Sequence, residues 1–177
     1  SKIPRPLIDA VIATEDRRFF EHWGLDLRGL GRALKENLRR GRLAQGGSTI
    51  TQQVAKAFLS PERTFSRKVR EAILARRLEA RYSKREILSL YLNHIFLGHG
   101  SYGVQAAAKR YFDKNVWELR LEDQALLAGL AKAPTRFSPL DRPQAAQQRR
   151  DTVLHNMVEV GYLPVADAEP LYGQALR

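Results

Sequence analysis

Two acidic positions bracket an unusually polar run in this chain. Glu15, followed by Asp16, stands where an apolar segment gives way to the aromatics Phe19, Phe20 and Trp23. Glu71 closes a stretch that also holds Arg63, Arg67, Lys68 and Arg70. Between them runs GGSTITQQVAK, Gly46 to Lys56: paired glycines, hydroxyls, two adjacent amides and a lysine. Glycines let backbone approach a ligand, and Ser48, Thr49, Gln52 and Gln53 can donate and accept hydrogen bonds. A carboxylate at a partly apolar edge has its pKa raised, which suits proton transfer near neutral pH. The surplus of cations around Glu71 exceeds what one ordinary i,i+4 surface pair needs. It suits an anionic ligand, with the glutamate orienting the cations or helping to hold a metal.

Two carboxylates on separate helices resemble the equipment of enzymes acting at a glycosidic bond. The basic excess is wrong for hydrolysis of a neutral sugar. It is right for departure of a phosphate or diphosphate, whose developing charge Lys, Arg or a divalent metal can stabilise. The residues therefore point to glycosyl transfer from a phosphate-activated sugar. His22 reads as a structural hydrogen-bonder, because His94, His99 and His155 show no metal-ligand spacing with it. No phosphate-binding loop, dinucleotide fingerprint or nucleophile elbow is present.

The elements that must position these groups are helical almost throughout. Pro6 suits a first helical position, and the residues from Leu7 follow as a buried helix ending near Glu15. Asp26 caps a second, whose Leu27, Leu30, Leu34 and Leu38 share a face and whose C′ residue would be Gly41. Thr49 with Gln52, and Ser83 with Glu86, have the spacing of capping boxes. Ser66 is the expected cap of a helix running to about Tyr82. His94 to Gly103 reads as a glycine-rich loop. Further helices are expected at Val104–Phe112, Leu121–Ala133 (halted by Pro134) and Arg142–Val160 (closed by Gly161), with a last one from Pro164. The fold class is all-α, irregular around residues 42–66.

At 177 residues and 44% hydrophobic content, the chain supports one domain with a proper core. Its net charge of +11 is concentrated: Arg28 to Arg85 carries sixteen Lys/Arg against four Asp/Glu, the remainder fourteen against fifteen. Such a block attracts phosphate, whether on nucleic acid, membrane or substrate. Absence of cysteine excludes disulfides and thiolate metal sites. No run reaches the roughly 18 apolar residues of a membrane span.

Five segments in order resemble the peptidoglycan glycosyltransferases, family 51 of the glycosyltransferases. They are EDRRFFEHWG (Glu15–Gly24), GGSTITQQ (Gly46–Gln53), RKVRE (Arg67–Glu71), ILSLYLNHIFLG (Ile87–Gly98) and the weaker ALLAGLAKAP (Ala125–Pro134). The likeness covers roughly residues 4–162. It implies a lysozyme-like, bilobed helical fold with a small membrane-facing jaw near residues 42–66, residues 1–163 forming the glycosyltransferase domain and 164–177 a final helix or the start of a linker. It implies that lipid II is added to a growing glycan chain with inversion and release of the polyprenyl diphosphate. By position, Glu15 matches the general base and Glu71 the second glutamate near the donor diphosphate. Lys56, Arg63, Arg67 and Lys68 match the surrounding cations, and Ser48, Thr49, Gln52 and Gln53 the cleft-lining motif. His22, Gly24, Asn93 and Gly98 match structural motif positions. Mg²⁺ or Mn²⁺ is implied as a loosely held ion on the diphosphate and Glu71. The resemblance also implies the outer face of the bacterial cytoplasmic membrane, sensitivity to moenomycin, and a longer parent carrying an anchor helix and, in bifunctional members, a transpeptidase domain. Asp113 departs from the family's glycine after a Tyr-Phe pair, so a different turn is expected there.

Two other readings remain open at this level. One is a lytic, lysozyme-like glycosidase; the other is a non-enzymatic basic module for membrane or nucleic acid. Nucleic acid is disfavoured because the basic block lacks interleaved stacking aromatics.

Overall fold

The computed structural model describes residues 3–40, 47–59 and 64–176. Among them the chain is all-α: α1 (Arg5–Glu15), α2 (Leu27–Arg40), α3 (Ile50–Lys56), α4 (Phe65–Arg81), α5 (Lys84–His94), α6 (Val104–Phe112), α7 (Leu121–Leu130), α8 (Pro143–Glu159) and α9 (Val165–Ala168). Short 3-10 turns lie at Val116–Glu118 and Glu169–Leu171. The described residues contain no strand; Phe96 and Tyr102 form an isolated antiparallel bridge within the expected loop. Two compact units divide the chain, Ser1–Arg17 with Leu92–Arg177, and Arg18–Tyr91.

In the first unit α1, α7 and α8 pack against one another. The centre is α7, in which every residue from Asp123 to Leu130 is buried. A helix that is apolar on all sides has neighbours on all sides. Leu7, Ala10, Val11 and Ile12 of α1 and Ala146, Val153, Leu154 and Met157 of α8 complete this core. Pro143 opens α8, where its missing N–H costs nothing.

In the second unit α3 packs on α4, burying Ile50, Val54 and Ala55 with Ala75. Beneath them Glu79 accepts from Thr51 Oγ1 (2.6 Å) and pairs with Lys84 Nζ (2.7 Å), which lies over the Phe19 ring. Asp26 caps α2 through its Oδ1, which accepts from the Gly29 N–H. Leu27, Leu30 and Leu38 of α2 are exposed.

Several boundaries depart from the sequence reading. Thr64, not Ser66, caps α4: its hydroxyl accepts from the Arg67 N–H at 3.1 Å. Helix α7 stops at Leu130 rather than Ala133, because Ala133 precedes a proline and closes a tighter turn onto the Leu130 carbonyl. Asp113 adopts φ +53, ψ +31 and itself forms the left-handed cap of α6. Aspartate tolerates that region better than most side chains, so the glycine-type turn persists. Gly41 and Arg63 lie outside the described residues.

Candidate functional site

Glu15 is the last residue of α1, and its side chain is 12% exposed. The Nη2 of Arg149 lies 3.7 Å from Glu15 Oε1. Arg149 comes from α8 and is buried; its Nε donates to the Gly129 carbonyl (3.1 Å), and its guanidinium lies 5.5 Å from the Phe137 ring centroid. Burial pushes the Arg149 guanidinium down from its usual value, and Glu15 opposes that shift. Lys132 shares the same field. Its ammonium is lowered first by burial and then by Arg149, with Glu15 acting the other way. Glu15 therefore has two cationic neighbours, Arg149 and Lys132, from the same unit. Two residues on, Arg17 donates to the Ala13 carbonyl (3.1 Å), Asn156 (3.0 Å) and Glu159 (2.7 Å). The end of α1 is thus tied to α8 on both sides of buried Asp16.

The rest of the first motif belongs to the second unit and is built as a brace. His22 is buried, and its Nδ1 accepts from the Gly24 N–H at 3.1 Å, which leaves the neutral ring's proton on Nε2. Gly24 has φ +96, and a Cβ there would stand 3.0 Å from the Ala75 backbone. Only glycine permits both the conformation and the approach to α4. The Gly24 carbonyl accepts from Thr49 Oγ1 at 2.6 Å. Thr49 also accepts from the Gln52 N–H (3.1 Å), while Gln52 Oε1 accepts from the Thr49 N–H (2.9 Å), completing the capping box of α3. Both side chains are buried, and together they fix the start of α3.

Charge chemistry sits one helix away. Lys68 Nζ donates to Glu71 Oε1 at 2.5 Å and to Ser48 Oγ at 2.9 Å. Glu71 is only 1% exposed, whereas half of the Lys68 side chain is open to solvent. Arg67 Nη1 stands 4.0 Å from Glu71 Oε2. That oxygen and Arg67 Nε are buried without hydrogen-bond partners. An ordinary surface pair does not bury its acid or leave it half satisfied. Lys56 and Arg70 are exposed, and Gln53 accepts from the Tyr91 hydroxyl at 3.3 Å.

Gly98 (φ +92) lies where a Cβ would meet the Tyr111 hydroxyl at 2.7 Å and Pro134 at 3.2 Å. The same tyrosine donates to the Leu97 carbonyl. Asn93 is exposed at the C-terminal end of α5. Both belong to the first unit, Asn93 in the last turn of α5 and Gly98 in the loop after it.

Arg149 and Lys132 are the neighbours of Glu15 that sequence reasoning did not select. Lys132 lies inside the fifth motif, ALLAGLAKAP. For Arg149 the signal is periodicity: Arg149 and Arg150 fall on the face of α8 that Ala146, Val153 and Met157 bury. Arginine on the apolar face of a helix must have a buried partner.

Among the described residues no three His, Cys, Asp or Glu side chains gather as a metal site, and no helix is long and apolar enough to cross a membrane. A family model described as Transglycosylase matches residues 1–158. Penicillin-binding protein 1A of Aquifex aeolicus (strain VF5) is 53% identical over 163 residues, covering 92% of this chain and 22% of that protein. Penicillin-binding protein 1F of Bacillus subtilis (strain 168) is 44% identical, covering 99% and 25%. The crystal structure of penicillin-binding protein 1A from Haemophilus influenzae superposes with a TM-score of 0.60 at 28% identity, over 99% of this chain and 17% of that one. The chain therefore spans about a quarter or less of the length of these relatives.

Proposed function

Since the chain belongs to the transglycosylase family, we propose that it polymerises lipid II into β-1,4-linked glycan. The all-α, lysozyme-like architecture is the one this family membership implies. Glu15 takes the proton from the acceptor 4-hydroxyl. The freed oxygen attacks the donor anomeric carbon with inversion, and the bond from that carbon to the diphosphate oxygen breaks. The diphosphate leaves with the electron pair and is met by Lys56, Arg67 and Lys68. Ser48 steers the Lys68 ammonium, and Thr49, Gln52, His22 and Gly24 hold α3 in place. The observation that carries this reading is the burial of Glu71 under Lys68, with one acid oxygen lacking a hydrogen-bond partner.

Glu71 is the residue that would help hold a Mg²⁺ or Mn²⁺ ion carried by the substrate, once its buried, unpartnered oxygen opens to it. A resident ion would need more acidic ligands than one. Such an ion supplies charge neutralisation at the leaving diphosphate.

Exposed Phe58, Phe65, Val69 and Ile73, interspersed with Lys and Arg, support contact with a lipid surface. The extracytoplasmic face of a bacterial membrane, where lipid-linked donor is presented, is the proposed location. The names and lengths of the relatives support a transpeptidase domain in the full-length protein.

The test incubates the domain with labelled lipid II and resolves the products on a gel, with and without moenomycin. Polymer that moenomycin suppresses is expected. Soluble fragments released from purified glycan strands, with no polymer from lipid II, would establish a lytic glycosidase instead.

A further inference from the structure

The two inward-facing arginines of α8 are used differently. Arg150 is committed to architecture: it pairs with Asp151 and donates to the carbonyls of Leu171 and Gln174, pinning the segment after α9. Arg149 has its Nε on the Gly129 carbonyl and a ring beneath it, and turns Nη2 to the end of α1. We propose that Arg149 is a positioning residue for Glu15, holding its carboxylate ionised and in one orientation for proton abstraction. The inference rests on the reading of Glu15 as the base.

Distance supports this division of labour. At 3.7 Å the guanidinium is within ion-pair range of Glu15 but outside hydrogen-bond range. Arg17 and Glu159, by contrast, close to 2.7 Å. A base engaged by a tight charge-assisted bond to arginine would be a poor proton acceptor. A base with no cation nearby, in a buried setting, would tend to stay protonated. Arg149 supplies a cation at ion-pair range without forming such a bond itself.

Arg149 can reach this place because of Gly129. A Cβ at that position would stand 2.9 Å from Arg149 Cγ. The glycine opens the channel along α7 through which the arginine stem passes. Other charged groups near Glu15 are Lys132 after α7, Asp16 and Arg17 following it in the chain, and Arg136, which acts on Lys132. Arg17 is occupied by Asn156 and Glu159.

The experiment compares Arg149→Gln, Arg149→Lys and Gly129→Ala with the parent domain. Lipid II polymerisation gives kcat and KM from about pH 5 to about pH 9, and circular dichroism with melting checks folding. In Arg149→Gln the acid limb of kcat is expected to move up by about one pH unit, because the cation favouring the carboxylate is gone. kcat at neutral pH falls about tenfold while KM stays within about twofold, since orientation of the base is lost and donor contacts are kept. Arg149→Lys returns the acid limb to the parent position with partial recovery of kcat. Gly129→Ala moves the profile in the direction of Arg149→Gln, by less.

A folded Arg149→Gln with an unmoved acid limb overturns the inference, as does a loss confined to KM. A uniform loss that only follows the melting temperature does the same. Should Arg149→Gln not fold, Gly129→Ala decides: an unmoved profile and kcat overturn the proposal, and a shifted acid limb supports it. Glu15→Gln runs alongside as a control. An active Glu15→Gln removes the base reading itself, whereas an inactive one beside an unmoved Arg149→Gln removes only the role of Arg149.

Discussion

The Glu71 region and the Glu15 region each hold a carboxylate among cations, yet they are assembled in opposite ways. Glu71 meets Lys68 and Arg67 from its own helix, three and four residues back. Glu15 meets Arg149 and Lys132 from other parts of the chain, and neighbouring Arg17 reaches Asn156 across 139 residues of sequence. A local cluster forms whenever its helix forms. A remote one forms only when α1, α7 and α8 have packed. The lesson is that the cluster proposed to meet the leaving group is written in one helix, while the setting of the proposed base depends on the tertiary core.

The sharpest way to break that comparison is Glu15→Gln. Losing a positioned base is expected to lower lipid II polymerisation by about 10³-fold, with a melting temperature close to the parent. Polymer formed at the parental rate would show that the remote cluster has no part in proton transfer. Next comes Lys68→Ala, which leaves buried Glu71 without its hydrogen-bond donor. An unsatisfied buried acid costs about 1–3 kcal/mol, so urea unfolding should register a loss of that size together with weakened donor use. An unchanged unfolding midpoint would mean the local pair is dispensable to its helix.

Thr49→Ala removes the cap of α3 and the bond to the Gly24 carbonyl. Its expected cost is about 1–2 kcal/mol, read as a lower melting temperature; Thr49→Ser should recover most of it.

A pH-dependent effect is expected at the remote contact between the loops after α5 and α7. The Ser138 hydroxyl holds the Asp141 carboxyl below its ordinary value of 3.8; burial opposes it, and His99 adds to the lowering. Its folded-state value is depressed, so its contribution is full above the ordinary value and lost as the pH falls through the depressed one. Melting of Asp141→Asn against the parent should therefore show a gap at pH 5 that closes below pH 3.8. A gap that persists unchanged in strong acid would place the effect elsewhere. The smallest change expected is a gain: Asp113→Gly relieves a left-handed aspartate and should stabilise by about 0.5 kcal/mol, measured by thermal melting.

Much of this molecule was legible without coordinates because its signals are short-range. The Thr49–Gln52 and Ser83–Glu86 boxes, the Asp26 cap, the glycine-rich loop (which begins one residue later than expected, His94 closing α5) and the span of α6 all follow from neighbours within a few residues. Errors arose where a second local signal competed. Thr64 displaced Ser66 as a cap two residues earlier, and the turn at Val116–Glu118 is too short for periodicity to reveal. At the candidate site, Thr49 and Gln52 resembled a polar cradle; the fold commits their buried side chains to holding α3.

By itself, the amino-acid order determined the helical class, the caps, the cationic middle third and the pairing of Glu71 with Lys68, since each is set by residues a turn or less apart or by composition. Only tertiary packing decided that Glu71 is buried, that Gly24 braces α4, and that Arg149 stands beside Glu15. Those outcomes depend on which helices share a core, and side chains far apart in sequence acquire a common electrostatic field only once packing has brought them within a few ångströms and excluded the water between them.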